Sequence, residues 1–205
     1  MIIISFEGMD GCGKTTQFNR LSTILLERGI KVVTLHEPGG SALGDALRGI
    51  LLDPTRKICD WAEAYMFMAS RAQMLAEVPP DTEVLLCDRY LDSSVVYQGY
   101  GNGLGMEAIW NLSKPSIGGN YPDTTVYIKC PYNICRERLT ERGCPDRIES
   151  KGADFWGRVE RGYDIISERE PDRWVVVDGT LSPDEVSHTI LTTLEQRYTK
   201  LYLRR

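Results

Sequence analysis

The sequence predicts an α/β fold in which helices flank a parallel sheet of five strands. Two observations lead to this prediction. Short apolar runs of strand length recur along the chain, and stretches with helical spacing of apolar residues separate them. Strands that alternate with helices in this way are typical of parallel sheets, because each parallel connection needs a crossover.

The first strand and helix are the clearest elements. Residues 2–6 form an apolar run interrupted only by Ser5, as expected for a strand buried on both faces. Residues 14–28 are predicted to be helical, with Gly29 as the stop. The apolar residues at helical spacing in this stretch are Phe18, Leu21 and Leu25.

Four further strands follow. They are predicted at residues 31–35, 84–87, 125–128 and 174–177. Gly, Pro, Asn and Asp mark loops between the elements, at residues 37–41, 79–82, 99–105, 118–122 and 143–152. No linker divides the sequence, so we expect one domain over residues 1–205.

Composition narrows the class of protein. The 205 residues are 42% hydrophobic and 26% charged, which excludes a disordered or fibrous chain. The net charge of −5 argues against a partner of duplex nucleic acid, since such binding depends on Lys and Arg. No apolar run reaches membrane-spanning length, and no charged region precedes the apolar start, so we expect a cytoplasmic protein without a membrane partner. The sequence has six scattered cysteines without a C-x-x-C pair and only two histidines, which argues against a zinc site and a disulfide framework.

A phosphate-binding loop follows the first strand. Residues 8–15 match the P-loop pattern G-x-x-x-x-G-K-[ST] in full, directly before the first helix. The predicted ATP-binding residues are Gly8, Met9, Asp10, Gly11, Cys12, Gly13, Lys14, Thr15 and Thr16. Backbone N–H groups and the helix N-terminus hold the phosphates, Lys14 neutralises charge on the transferred group, and Thr15 offers a hydroxyl to Mg²⁺.

A carboxylate is predicted near this loop. Asp88 follows the third strand at its carboxyl end, where ligands of open α/β sheets bind, and is a second candidate metal ligand. A helix cap or turn aspartate is the competing interpretation. The base-reading motif N-K-x-D of signalling GTPases is absent, and the arginine-rich third quarter favours a nucleotide-phosphorylating kinase.

Two motifs extend the comparison across the chain. Asp88-Arg89-Tyr90 opens the stretch 88–99, and Glu37-Pro38-Gly39-Gly40 follows the second strand. Together with the P-loop, the sequence resembles bacterial-type thymidylate kinases. This resemblance implies a three-layer P-loop NTPase fold, usually homodimeric, with a short arginine-bearing lid at about residues 142–155. It implies transfer of the γ-phosphoryl group of ATP to dTMP, giving dTDP and ADP for dTTP biosynthesis, with Mg²⁺.

The resemblance also implies the residues that bind dTMP. Phe67 and Arg71 are four positions apart on one helix face, where a ring can stack on thymine and a guanidinium can bond its O4. Arg48 and Arg89 resemble the pair that clamps the acceptor phosphate. Ser94 and Gln98 resemble residues that bond or cover the base, and Tyr97 resembles the one that crowds the 2′ position of the sugar. Asp10 resembles the carboxylate that fixes the 3′-hydroxyl, and Glu37 belongs to the Glu-Pro motif.

The catalytic charge is predicted to come from Lys14, Arg89 and the lid. The variable P-loop positions carry no basic residue, whereas one class of this family has one there. We therefore expect Arg142 and Arg147 to close over the phosphates, as lid arginines do in the other class. Closure would also exclude water. Arg136 and Arg138 are expected only to lie on a solvated helix face.

Two alternatives stay open. A deoxynucleoside kinase with thymidine as acceptor needs a general base for a neutral hydroxyl, and Glu37 is the candidate for it. A P-loop binding protein without turnover would have lost a catalytic group, but Lys14, Thr15, Asp88 and Arg89 are all present.

Overall fold

The computed structural model describes residues 1–140 and 145–199. It contains one parallel five-stranded sheet in the order β2-β3-β1-β4-β5, which confirms the predicted α/β class. The strands are β1 Ile2–Glu7, β2 Val32–His36, β3 Val84–Asp88, β4 Thr124–Lys129 and β5 Trp174–Asp178.

Helices connect these strands. They are α1 Lys14–Glu27, α2 Ala42–Leu52, α3 Asp60–Ala76, α4 Leu91–Ser94, α5 Met106–Ile117, α6 Tyr132–Thr140, α7 Ala153–Arg169 and α8 Pro183–Arg197. A π-helical segment, Val95–Gly101, continues α4. None of the helices in the described part of the chain is long and apolar enough to cross a membrane.

Helices cover both faces of the sheet and make three layers. On one face, the Phe6 ring of β1 packs against Phe18 of α1 with centroids 5.9 Å apart, and α8 packs against α1 and β5. On the other face, Tyr127 of β4 stacks on Tyr163 of α7 at 4.9 Å. Successive strand residues point to opposite faces, so neighbouring positions in one strand serve different layers.

Each strand extends one residue beyond its predicted apolar run, at the carboxyl end. The added residues are all polar: Glu7, His36, Asp88, Lys129 and Asp178. Backbone groups make the ladder, so a polar side chain does not end it. These five residues lie along the sheet edge where ligands of parallel α/β proteins bind.

One predicted loop has a different first residue in the structure. The loop at 99–105 begins later, because the π-helical segment continues to Gly101, where a Cβ would lie 2.7 Å from the Phe155 ring. The lid prediction of 142–155 overlaps helix α7, which begins at Ala153. Arg142 lies outside the described residues.

Candidate active site

The P-loop connects β1 to α1, as the sequence predicts. Gly8 has φ 139, and a Cβ there would lie 2.7 Å from the carbonyl oxygen of Ile128, so only glycine fits. Gly13 has φ 100 and is the N-cap of α1. No side chain caps this helix start, which leaves its N–H groups able to bind an anion.

Asp10 joins the P-loop to the turn after β3. Its Oδ1 accepts hydrogen bonds from Lys14 Nζ at 2.9 Å and from Arg89 Nη2 at 2.8 Å. Burial favours a raised pKa for Asp10, but the charges of Arg89 and Lys14 outweigh it and hold the pKa well below its usual value. The carboxylate therefore stays ionised and places two cations side by side.

The two predicted magnesium ligands lie next to each other. Thr15 Oγ1 donates to Asp88 Oδ2 at 2.8 Å. Hydroxyl and carboxylate oxygens suit Mg²⁺, which takes few protein ligands and completes its shell with water and substrate phosphates. The donor set at the start of α1 therefore fits this ion. In the part of the chain that the structure describes, no group of three or more His, Cys, Asp or Glu side chains forms a metal site.

A cleft beside the P-loop brings together the predicted acceptor residues with the exception of Arg71. Its lining includes Asp10, Glu37, Arg48, Phe67, Arg89, Ser94, Tyr97 and Gln98. These residues come from the P-loop, the segment after β2, helices α2, α3 and α4, the turn after β3 and the π-helical segment. The cleft thus joins positions that are far apart in the sequence.

Arg71 lies behind the wall of this cleft. Its side chain is 0% exposed, and it donates to both carboxylate oxygens of Glu37, at 2.7 and 2.5 Å, and to Ser94 Oγ at 2.8 Å. Burial raises the pKa of Glu37 although Arg71 opposes the shift. In this arrangement Arg71 orients two cleft residues, while its predicted direct contact with a base stays a prediction.

The donor groups of two cleft residues, Arg48 and Tyr97, have different surroundings. Arg48 Nη1 donates to the carbonyl of Pro38 at 2.8 Å, which ties α2 to the segment after β2. The Tyr97 hydroxyl is buried and has no hydrogen-bond partner among the described residues. A buried hydroxyl without a partner is costly, and this one belongs to a side chain that lines the cleft.

The predicted lid segment is anchored to α2 and α3. Arg147 Nη2 donates to Glu63 Oε2 at 2.7 Å, and its Nε donates to the carbonyl of Leu51 at 2.6 Å. Lys151 Nζ also lies 3.3 Å from Glu63 Oε2 and donates to Asn102 Oδ1 at 2.7 Å. None of these hydrogen bonds of the described residues reaches the P-loop.

Arg138 corrects an expectation. Its Nη1 donates to the carbonyl of Gly179 at 3.0 Å and reaches the P-loop carbonyl of Gly11 at 3.4 Å. The side chain connects the P-loop to the turn after β5, rather than only lying on a solvated helix face. Helical position alone did not indicate this, because both acceptors are distant in sequence.

Sequence reasoning also missed the groups that hold the cleft from behind. Glu63 is 1% exposed and accepts from Gln98 Nε2 at 2.9 Å as well as from the lid. Glu7, Ser93 and Tyr163 form a second buried cluster beside Arg89. The available signal was a glutamate placed before the P-loop and another in the helix of Phe67, without a role for either.

Comparison with known proteins agrees with this geometry. A family model described as thymidylate kinase matches residues 6–190. The chain is 38% identical to a thymidylate kinase of Kosmotoga olearia, covering 93% of each chain. It is 39% identical to one of Desulfovibrio desulfuricans, over 100% of this chain and 97% of the relative.

A solved structure gives the same result for the fold. The crystal structure of thymidylate kinase from Ehrlichia chaffeensis superposes with a TM-score of 0.77 at 29% identity, over 95% of this chain and 98% of that chain. The family model covers most of the sequence, and the relatives match it over nearly their full length. The chain therefore belongs to the thymidylate kinase family.

Proposed function

We propose that this protein transfers the γ-phosphoryl group of ATP to dTMP, producing dTDP and ADP for dTTP biosynthesis. One observation carries the proposal. Asp10 Oδ1 accepts hydrogen bonds from Lys14 of the P-loop at 2.9 Å and from Arg89 of the acceptor cleft at 2.8 Å. The donor and acceptor sites therefore share a charged boundary. Membership of the thymidylate kinase family supports the choice of acceptor.

The donor half of the site binds ATP. The P-loop amides and the start of α1 hold its phosphates, and Lys14 neutralises charge on the transferred group. Thr15 and Asp88 would hold Mg²⁺, which neutralises phosphate charge when bound. The residues proposed to contact ATP are those predicted from the P-loop, from Gly8 to Thr16.

The acceptor half binds the base, sugar and phosphate of dTMP. Phe67 offers a ring for stacking on the pyrimidine, and Arg48 and Arg89 offer guanidinium forks for the phosphate. No described residue donates to Oδ2 of Asp10, since Lys14 and Arg89 both use Oδ1. That oxygen can accept the sugar 3′-hydroxyl.

The reaction needs no general base. The acceptor phosphate is already an ionised nucleophile near neutral pH, so alignment and charge stabilisation carry the catalysis. This differs from a nucleoside kinase, in which a neutral hydroxyl must lose a proton. Both oxygens of Glu37 accept from Arg71, which is consistent with an anchoring role for this carboxylate.

Separate assays with dTMP and thymidine test the proposal. With MgATP as donor, we expect ADP and dTDP to form from dTMP and no turnover with thymidine. A panel of dUMP, dCMP and dGMP, compared by kcat/KM, then measures base selectivity. Phosphorylation of thymidine but not of dTMP would contradict the proposal, and turnover of neither would favour a binding protein.

We further propose that Arg147 stabilises the transition state after leaving Glu63, and that Arg142 acts with it. Replacing Arg147 with alanine is expected to lower kcat about 10²-fold, while the Kd for dTMP changes little, because the contact forms only during transfer. Rapid-quench kinetics and calorimetric binding of dTMP measure the two effects. Arg161→Ala, at an exposed position of α7, is the control. Equal losses in kcat and affinity would exclude the role.

We also propose a homodimer formed through α2 and α3. The exposed face of these helices is apolar: Leu43 is 48% exposed, Trp61 44% and Tyr65 55%. The Trp61 and Tyr65 rings lie 6.1 Å apart. Large exposed apolar groups side by side are typical of protein interfaces.

Tyr65→Arg tests this interface. The buried charge is expected to weaken dimerisation about 100-fold, measured by light scattering or sedimentation across a dilution series. Leu26→Arg changes a residue of α1 that is 56% exposed and should leave the mass unchanged. A Tyr65→Arg variant with the wild-type mass at every concentration would contradict the proposal.

A further inference from the structure

Glu7 is a buried carboxyl group to which the reaction described above gives no role. It is the last residue of β1, directly before the P-loop, and is 0% exposed. Its Oε1 accepts from the backbone N–H of Tyr90 at 2.9 Å. Its Oε2 accepts from the hydroxyls of Ser93 and Tyr163, the latter at 3.1 Å.

The same two hydroxyls meet Arg89 on their other side. Arg89 Nη1 donates to Ser93 Oγ at 3.1 Å and to the Tyr163 hydroxyl at 3.3 Å. Each hydroxyl can direct its hydrogen to Glu7 while its lone pairs face the guanidinium. Among the described residues, these contacts and Asp10 leave the Nε hydrogen and one Nη2 hydrogen of Arg89 without a partner, on a side chain that lines the cleft.

Glu7 also holds the backbone of Arg89. Arg89 has φ 69, the only positive φ of a non-glycine residue in the described part of the chain. Such a conformation persists only where neighbouring contacts stabilise it. The N–H of Arg89 bonds the carbonyl of Phe6, and the next N–H, that of Tyr90, bonds Glu7.

We propose that Glu7 is a positioning residue that, through the hydroxyls of Ser93 and Tyr163, holds the Arg89 guanidinium in the orientation that meets the phosphate of the acceptor. This inference rests on the proposed function, since it concerns the phosphate-binding role of Arg89. It adds a residue that touches neither nucleotide.

A carboxyl group is the chemistry that this position requires. Burial, with repulsion from Asp92, raises the pKa of Glu7 to about 8, while Ser93, Arg89 and the Tyr90 N–H oppose the shift. In either protonation state the Oε2 atom keeps a lone pair for a hydroxyl. A glutamine amide nitrogen has none, and a flipped amide would face the Tyr90 N–H with another donor.

Glu7→Gln therefore tests the inference, with binding as the readout. Calorimetry without ATP is expected to show about tenfold weaker binding of dTMP, because one charge-assisted contact is misdirected. Thymidine lacks the phosphate, so its affinity should stay within about twofold. In an Arg89→Met background, Glu7→Gln should have no further effect on dTMP binding, since the two residues act through one contact.

Variants of the Ser93 and Tyr163 hydroxyls provide a second test that does not depend on the folding of Glu7→Gln. Ser93→Ala and Tyr163→Phe should each weaken dTMP binding about threefold and spare thymidine. Ser116→Ala removes a serine of α5 that is as buried as Ser93, at 8% exposure for each, and should change neither affinity. Equal effects on both ligands, or the full loss persisting in the Arg89→Met background, would overturn the inference. Wild-type protein that fails to bind dTMP would instead overturn the proposed function.

Discussion

Replacing Lys14 with alanine is expected to lower kcat by about 10³-fold, the scale of losing a preorganised charge at the reacting group. The Lys14 side chain is buried at the start of α1, and its ammonium donates to Asp10 at 2.9 Å. Burial and Arg89 favour a lower pKa, yet Asp10 and Asp88 prevail and raise the pKa of Lys14. The side chain therefore carries its charge near neutral pH.

Steady-state kinetics with MgATP and dTMP measure this effect. The affinity for dTMP should change far less than kcat, because Arg48 and Arg89 remain in the cleft. Lys31→Ala is the matched control, since the Lys31 side chain is 62% exposed and pairs with Asp81 away from the cleft. A Lys14→Ala enzyme with wild-type kcat would show that the P-loop lysine is not part of the transfer.

The sequence contains enough information to predict the sheet but not its polar margin. Apolar runs mark buried parallel strands because both faces of each strand are covered. Hydrophobicity stops at the last apolar residue, whereas backbone pairing continues to Glu7, Asp88 and the other terminal residues. The candidate site lies at these polar strand ends. The hydrophobic pattern, which predicts the strands, therefore gives the least information about the residues nearest the site.

The candidate site shows a similar division. The P-loop was predictable because its residues are consecutive and act through local backbone geometry. The partners of Glu63 and Glu7 were not, since Arg147 is 84 residues from Glu63 and Tyr163 is 156 residues from Glu7. The local periodicity of apolar residues gives no information about contacts between residues so far apart in the sequence. The resemblance to a family supplied the predicted nucleotide-binding residues, but not the buried groups that hold those residues in place.

Arg89→Lys is expected to lower kcat/KM for dTMP by about 10²-fold, although the charge is kept. Arg89 uses Nη2 for Asp10 and Nη1 for Ser93 and Tyr163. Its guanidinium carbon also lies 4.9 Å from the centre of the Tyr97 ring. A lysine ammonium is a single donor centre on a flexible chain, so it cannot hold these partners and a phosphate together.

The matched control for this substitution is Arg20→Lys. Arg20 also makes two acceptor contacts, with the Pro183 carbonyl at 3.0 Å and Asp184 at 2.6 Å, but on the α8 side of the sheet. Its replacement should leave kcat/KM unchanged. Similar thermal midpoints for both variants would show that Arg89→Lys folds, and retained kcat/KM in that variant would mean that charge alone suffices at this position. A loss confined to Arg89→Lys would show instead that the acceptor phosphate is recognised by a fixed fork of donors and not by charge alone.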